Sequence, residues 1–138
     1  MNFLIDTNVL SELGKKNPSP KVRAFMSALP STVLFISVVS LGEIVKGIEK
    51  TSEMNRKNQL LVWYEKICRW FDGQIIDIDH AIMTDWGHLA ALHKRTLPVL
   101  DSLLAATCLR HSLTLVTRNT KDFSGISGLN CQNPWNQI

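Results

Sequence analysis

The stretch Phe3-Leu4-Ile5-Asp6-Thr7-Asn8-Val9-Leu10 decides how the rest of the chain reads. Three apolar residues two positions after Met1 predict a short buried strand. The strand stops at a carboxylate, and the Thr and Asn that follow suit turns and helix caps better than strands. A negative charge therefore stands at the C-terminal end of what reads as a central strand. In open parallel α/β sheets that end is where ligands bind. The competing reading makes Asp6 only the cap of a short helix from Val9 to Gly14.

Downstream, the polar, proline-rich loop Lys15–Pro20 leads to a helix with Val22, Phe25, Met26 and Leu29 as its stripe, ending before Pro30. The β-branched run Thr32–Ile36 predicts a second strand. Ser37 then caps a helix that buries Leu41, Ile44, Val45 and Ile48, with Glu43 in its second turn near the strand end. Polar Thr51–Asn58 breaks the pattern, and Leu60–Phe71 resumes it as the second arm of an αα-hairpin. Trp63 and Ile67 read as core, Tyr64 and Trp70 as a contact surface. Ile75–Ile78 predicts a third strand, and Asp79 the cap of a helix running through His93. After Thr96-Leu97-Pro98 an apolar helix with Asp101 in its first turn leads to a fourth strand, Leu113–Val116. Thr117-Arg118-Asn119 follows, and a last short strand is expected around Leu129–Cys131. Strands alternating with helices imply one α/β domain over residues 1–138. It is a three-layer sandwich with a mainly parallel sheet of four to five strands flanked by helices.

Composition narrows the class. With 138 residues and 45% apolar content the chain can build a core. It carries no apolar run of membrane-spanning length and no secretory signal, so the cytoplasm is the expected location. Cys68, Cys108 and Cys131 are odd in number and widely spaced, which argues against a disulfide framework or a zinc site. The net charge is +3. If four of the twelve acids were gathered into one pocket, fifteen basic residues against the remaining eight would leave the surface at +7. An acidic hole in a basic surface suits a metal-dependent enzyme acting on nucleic acid.

Asp6, Glu43 and Asp101 come from three elements whose ends meet at one edge of a parallel sheet, and Asn119 or Asp122 follows the fourth strand. Carboxylates gathered there raise one another's pKa unless a cation sits between them. Hard divalent cations with oxygen ligands, Mg²⁺ or Mn²⁺, fit such a set and activate water at a phosphate.

The blocks FLIDTNVLSEL, SVVSLGEIVKGI, LPVLDSLLAATCLRHSLTLVTRNTKDF and the final NPW resemble, in order and nearly end to end, the PIN-domain ribonucleases. The VapC-type toxins of type II toxin–antitoxin pairs, including the FitB-like members, are the branch they look most like. The resemblance implies a Mg²⁺- or Mn²⁺-dependent endoribonuclease with Asp6, Glu43 and Asp101 as acidic triad and Thr7 and Thr117 as supporting hydroxyls. Its substrate would be tRNA or another structured RNA. Many family members carry a fourth acid where this chain has Asn119; Asp122 either takes part of that role or caps the next turn. Arg118, Lys121, Lys15, Lys16 and Lys46 are candidates for phosphate contacts, with solvated surface as their plain alternative. The resemblance further implies a homodimer and a cognate antitoxin whose C-terminal segment lies near the acids, within a larger toxin–antitoxin hetero-oligomer.

Two other phosphate-handling classes fit less well. A haloacid-dehalogenase-type phosphatase needs a second Asp where Asn8 stands, and a receiver-type domain needs paired acids and a late Lys that are absent. A non-catalytic nucleic-acid- or protein-binding module on the same fold is the alternative of a different class.

Overall fold

The computed structural model describes residues 1–136. Five strands form one sheet: β1 (Asn2–Ile5), β2 (Leu34–Ser37), β3 (Ile75–Ile76), β4 (Leu113–Val116) and β5 (Cys131–Gln132). Their order is β3-β2-β1-β4-β5, and every pairing is parallel. Six helices lie between them: α1 (Thr7–Leu13), α2 (Pro20–Ser27), α3 (Val38–Glu49), α4 (Met54–Trp70), α5 (His80–Leu92) and α6 (Val99–His111).

The strand pleat sorts β1 to two cores. Phe3 and Ile5 join Val9, Leu10, Val22, Ile36, Ile44, Ile48 and Ile67 on the face covered by α1 to α4. Leu4 joins Leu104, Ala105, Cys108, Leu115 and Phe123 on the face covered by α6. Strand β1 is central and buried on both sides, so it has no polar residue between Phe3 and Ile5. The sandwich is therefore three-layered, as its alternating elements imply.

Several boundaries differ from expectation. Ser31–Val33 forms a single 3-10 turn, so β2 begins at Leu34 instead of Thr32. Strand β3 stops at Ile76 instead of Ile78. Its partners are Ile36 and Ser37, and the ladder ends where β2 turns into α3. The last strand is Cys131–Gln132, set by pairing with Leu115 and Val116. Helix α4 begins at Met54, six residues before its apolar run. Glu53 caps it by accepting from the backbone N–H groups of Asn55 (3.0 Å) and Arg56 (2.6 Å). Those first turns are largely solvated and carry no apolar stripe, so periodicity is silent there. Val45 of α3 is 40% exposed, off the buried face it was expected to share. In α4, Ile67 is fully buried, Trp63 and Tyr64 pack against the core, and Trp70 is exposed. All three cysteines are free.

Gly14 follows α1 with φ −82°, a conformation open to any residue. Its smallness serves a different purpose: an added Cβ would stand 2.8 Å from Cε2 of Trp63. The indole of α4 thus packs directly on the backbone at the end of α1. Gly14→Ala is expected to cost about 1–3 kcal/mol by overpacking. Urea unfolding should show a lowered midpoint with unchanged slope, and in a Trp63→Leu background the same substitution should cost much less.

Candidate active site

Asp6 continues the central ladder, its N–H donating to the carbonyl of Val116 (2.9 Å), and then leaves it. It is also the N-cap of α1: its Oδ1 accepts from the backbone N–H of Thr7 (2.6 Å). The side chain is only 5% exposed. The hydroxyl of Thr117, the residue after the neighbouring strand β4, donates to Oδ2 at 2.8 Å. The Asn8 amide donates to the same oxygen (3.3 Å) and to Thr117 Oγ1 (3.2 Å), while its own Oδ1 accepts from the N–H of Arg118 (3.2 Å). The N–H of Asn119 also points at Thr117 Oγ1 (3.1 Å). Strand register explains the meeting of residues 6 and 117, since Ile5 pairs with Val116.

Glu43 arrives from the second turn of α3, which Ser37 caps by accepting from Val39 N–H (3.0 Å). Thr7 Oγ1 lies 2.6 Å from Glu43 Oε1 and 2.9 Å from the hydroxyl of Ser40. Thr7 has one hydroxyl proton, and the carboxylate is the stronger acceptor for it. Thr7 thereby ties the first helix to Glu43. Asp101 stands half-buried in the first turn of α6.

Every donor to Asp6 is neutral. Burial pushes its carboxyl up to about 6, against the pull of the Thr117 and Thr7 hydrogen bonds; the charges of Asp101 and Glu43 add to the rise. Asp101 is also raised, first by burial, then by the charges of Glu43 and Asp122. Four acids from four segments therefore feel one another. Among the described residues none of them has a cationic partner, because the ion pairs join Glu12 to Lys15, Glu49 to Lys57 and Asp85 to Arg110. Nor do any three His, Cys, Asp or Glu side chains among the described residues close on one point. The set fits a hard cation held by one or two carboxylates and completed by water, as Mg²⁺ commonly is, and not a closed protein cage.

The PIN domain pattern matches residues 3–129. The chain belongs to the PIN-domain family. Its relatives include toxin FitB of Neisseria gonorrhoeae, 29% identical over 96% of this chain and 98% of that protein. Another is the tRNA(fMet)-specific endonuclease VapC of Shigella flexneri, 30% identical over 94% and 95%. The crystal structure of FitAcB from N. gonorrhoeae superimposes with a TM-score of 0.88 at 29% identity, over 98% of this chain and 99% of that one. FitAB bound to the IR36 DNA fragment gives 0.88 at 28%, over 99% and 97%.

In this PIN domain Thr117 reaches Asp6, Thr7 reaches Glu43, and the charges of Asp101 and Glu43 bear on Asp6, while the predicted phosphate contacts scatter. Arg118 is stacked over Trp135, 4.7 Å from the ring centroid, and Asn133 Nδ2 donates to its carbonyl. Lys15 is paired with Glu12 at 2.8 Å, which with the Ser19 N–H holds that carboxyl below its usual range. Lys16, Lys46 and Lys121 are exposed. Asp122 lies within the 3-10 turn Thr120–Phe123, where its charge bears on Asp101; Asn119, not Asp122, stands at the cap of that turn.

Asn8, Ser40 and Asn133 were not anticipated as part of the site. Asn8 carried one signal, an amide two residues after the strand-end acid in the same turn. Ser40 stands three residues before Glu43. Nothing local marks Asn133.

The raised carboxyl has a consequence for stability. An unfolded aspartate titrates near 3.8 and Asp6 in the fold at about 6. Between those values the folded state holds the extra proton, so on Asp6's account stability falls as pH rises through that window and stays lower above it. The full penalty is of the order of 3 kcal/mol. Asp6→Asn should therefore stabilise the metal-free protein at neutral pH by about 1–2 kcal/mol, less than the whole because an amide NH₂ faces Thr117 poorly. Near pH 4 the gain should vanish. Thermal unfolding in EDTA at the two pH values measures it, and a variant less stable at neutral pH would show that the hydrogen bonds outweigh burial.

Proposed function

We propose that the chain is a Mg²⁺- or Mn²⁺-dependent endoribonuclease that acts as the toxin of a toxin–antitoxin pair. One observation carries the reading: a carboxylate, Asp6, buried at the end of the central strand, raised to about 6 and facing two further acids with no cation of the protein's own. A site that retains such strain calls for an external cation. RNA as substrate is supported by relatives named as VapC ribonucleases and as a tRNA(fMet)-specific endonuclease. A toxin's place is supported by relatives and neighbours that are FitB and toxin–antitoxin complexes.

Asp6 and Asp101, with Glu43, would hold the cation, which supplies an activated water and neutralises charge at the phosphodiester. The Thr7 N–H holds Oδ1 of Asp6, Thr117 and Asn8 hold its Oδ2, and the Thr7 hydroxyl holds Glu43, so these two acids are oriented before any ligand arrives. Asn119 and Asp122 border the site and complete it on the β4 side. Lys121, Lys16 and Lys46 offer mobile cations to RNA phosphates, and Arg118 a guanidinium already braced by Trp135.

The antitoxin would be a second protein covering the acids. A groove of about 240 Å³ lined by Leu13, Met26, Leu34, Ile67, Trp70 and Phe71 offers an apolar seat beside α4. A homodimer within a larger toxin–antitoxin hetero-oligomer is the expected assembly, and the cytoplasm the expected location. Among the described residues no helix is long and apolar enough to cross a membrane.

Calorimetric titration of antitoxin-free protein with Mn²⁺ or Mg²⁺, beside RNA cleavage, tests the reading. Asp6→Asn and Asp101→Asn should each abolish measurable binding and lower cleavage at least about a hundredfold. Thr7→Val, which leaves the acids in place but frees Glu43, should weaken binding about tenfold or more. Metal binding indifferent to both Asp variants would return the acids to helix capping and leave a non-catalytic binding module as the better account.

A further inference from the structure

Between α5 and α6 the chain turns through His93-Lys94-Arg95, outside the acidic site. Two hollows meet on this ridge, one of about 280 Å³ backed by Trp86, Leu97 and Ser102, and one of about 470 Å³ backed by Leu92, Ser124 and Gly125. His93, Lys94 and Arg95 line both, and no acidic side chain lines either. Among the described residues Lys94 is exposed and joins no ion pair. Nε2 of His93 is shut from solvent without a partner.

The ridge is fastened to the acidic site at two points. Arg95 Nη2 donates to the carbonyls of Lys121 (3.3 Å) and Asp122, which belong to the turn whose Asp122 charge bears on Asp101. Trp86 Nε1 donates to Ser102 Oγ (2.7 Å), so the first hollow backs directly onto the turn of α6 that carries Asp101. Asp85, the acid next to Trp86 in sequence, is already committed to Arg110, with contacts of 2.8 and 3.1 Å. The result is a cationic ridge with no compensating acid, on the flank of an acidic pocket.

We propose that the His93–Lys94–Arg95 ridge and its two hollows form an RNA subsite that holds backbone phosphates flanking the bond to be cut. The proposal rests on the ribonuclease reading and adds where the strand lies: over the α5–α6 loop and along Lys121. Lys94 supplies a mobile charge to one phosphate. The rest of the Arg95 guanidinium, already fixed by the 120–123 turn, supplies a second of set direction. Neutralising phosphates releases counterions, so each contact appears in the salt dependence of binding. A phosphodiester chain passing Asp6 and Asp101 must lose repulsion somewhere, and this ridge offers the positive charge next to them.

The test is fluorescence anisotropy of a short labelled single-stranded RNA with the full chain in EDTA, so that no cleavage occurs. Lys94→Gln should weaken binding up to about fivefold at about 0.1 M salt and reduce the salt slope by about 0.7. Lys94→Glu should weaken it further, and the Lys66→Gln control on exposed α4 should match the wild type. Mn²⁺ binding by Lys94→Gln should be unchanged, which separates the subsite from the acids. If the wild type binds and cleaves RNA but both Lys94 variants bind as tightly with the same slope, the subsite is wrong and the ribonuclease reading stands. If the variants lose a polyglutamate peptide instead of RNA, the ridge is a protein-docking surface and the proposal falls. If the wild type neither binds nor cleaves any RNA, the ribonuclease reading fails and the subsite fails with it.

Discussion

A carboxylate at the end of a doubly covered parallel strand is the constraint on which the rest of this site depends. Strand β1 is flanked on both sides and roofed on both faces, so Asp6 has little water to keep its charge. Desolvation is the largest influence on it, and three hydrogen-bond donors, all neutral, answer only part of that cost. The surrounding structure responds by committing its polar residues to Asp6: the hydroxyl of Thr117, the amide of Asn8 and the first N–H of α1 all converge there. An interior that is otherwise close-packed and apolar thus keeps one electrostatic fault.

Topology gathers the partners. Strand order β2-β1-β4 sets the ends of β1, β2 and β4 side by side; β1 and β4 are followed by polar residues, and β2 ends on Ser37, the cap of the helix that carries Glu43. Register is what makes the gathering specific. The pairing of Ile5 with Val116 puts Asp6 next to Thr117, whereas a slip of one residue would send the hydroxyl to the other face of the sheet. Thr7 carries the same order across to α3 through Glu43, so one dipeptide, Asp6-Thr7, connects the central strand, the first helix and the third.

The basic residues follow a different rule. Exposed cations gain little from a fixed partner, and their positions are decided by whatever lies beneath them. Arg118 is held by Trp135, near the C-terminal end of the described chain, and Lys15 by Glu12, so two cations that look alike in sequence meet different fates. The stacking of Arg118 also draws the terminal Asn133-Pro134-Trp135 segment to the site. Its place could not be read from local pattern because it is set by a contact across 17 residues.

The strand-end and first-turn placement of the acids and the parallel α/β class were legible in the chain itself, because strand ends, caps and alternation are local signals with short periods; Thr7 and Thr117 came as supporting hydroxyls only through the family resemblance. Element boundaries were legible only where a local signal marked them: Ser37 and Asp79 cap where expected, while the solvated first turns of α4 and the shortened β3 followed from a cap and from a partner strand's length. The roles of Asn8, Ser40 and Asn133, the stacking of Arg118 and the placement of the His93–Arg95 ridge against the 120–123 turn belonged to the tertiary structure. Each depends on a hydrogen bond or contact between segments far apart in the chain, whose distance is settled by packing and register. By itself the sequence determined which residues could carry charge to one edge of a sheet; only the fold decided which of those charges would be buried, which would be neutralised, and which would remain free to meet a ligand.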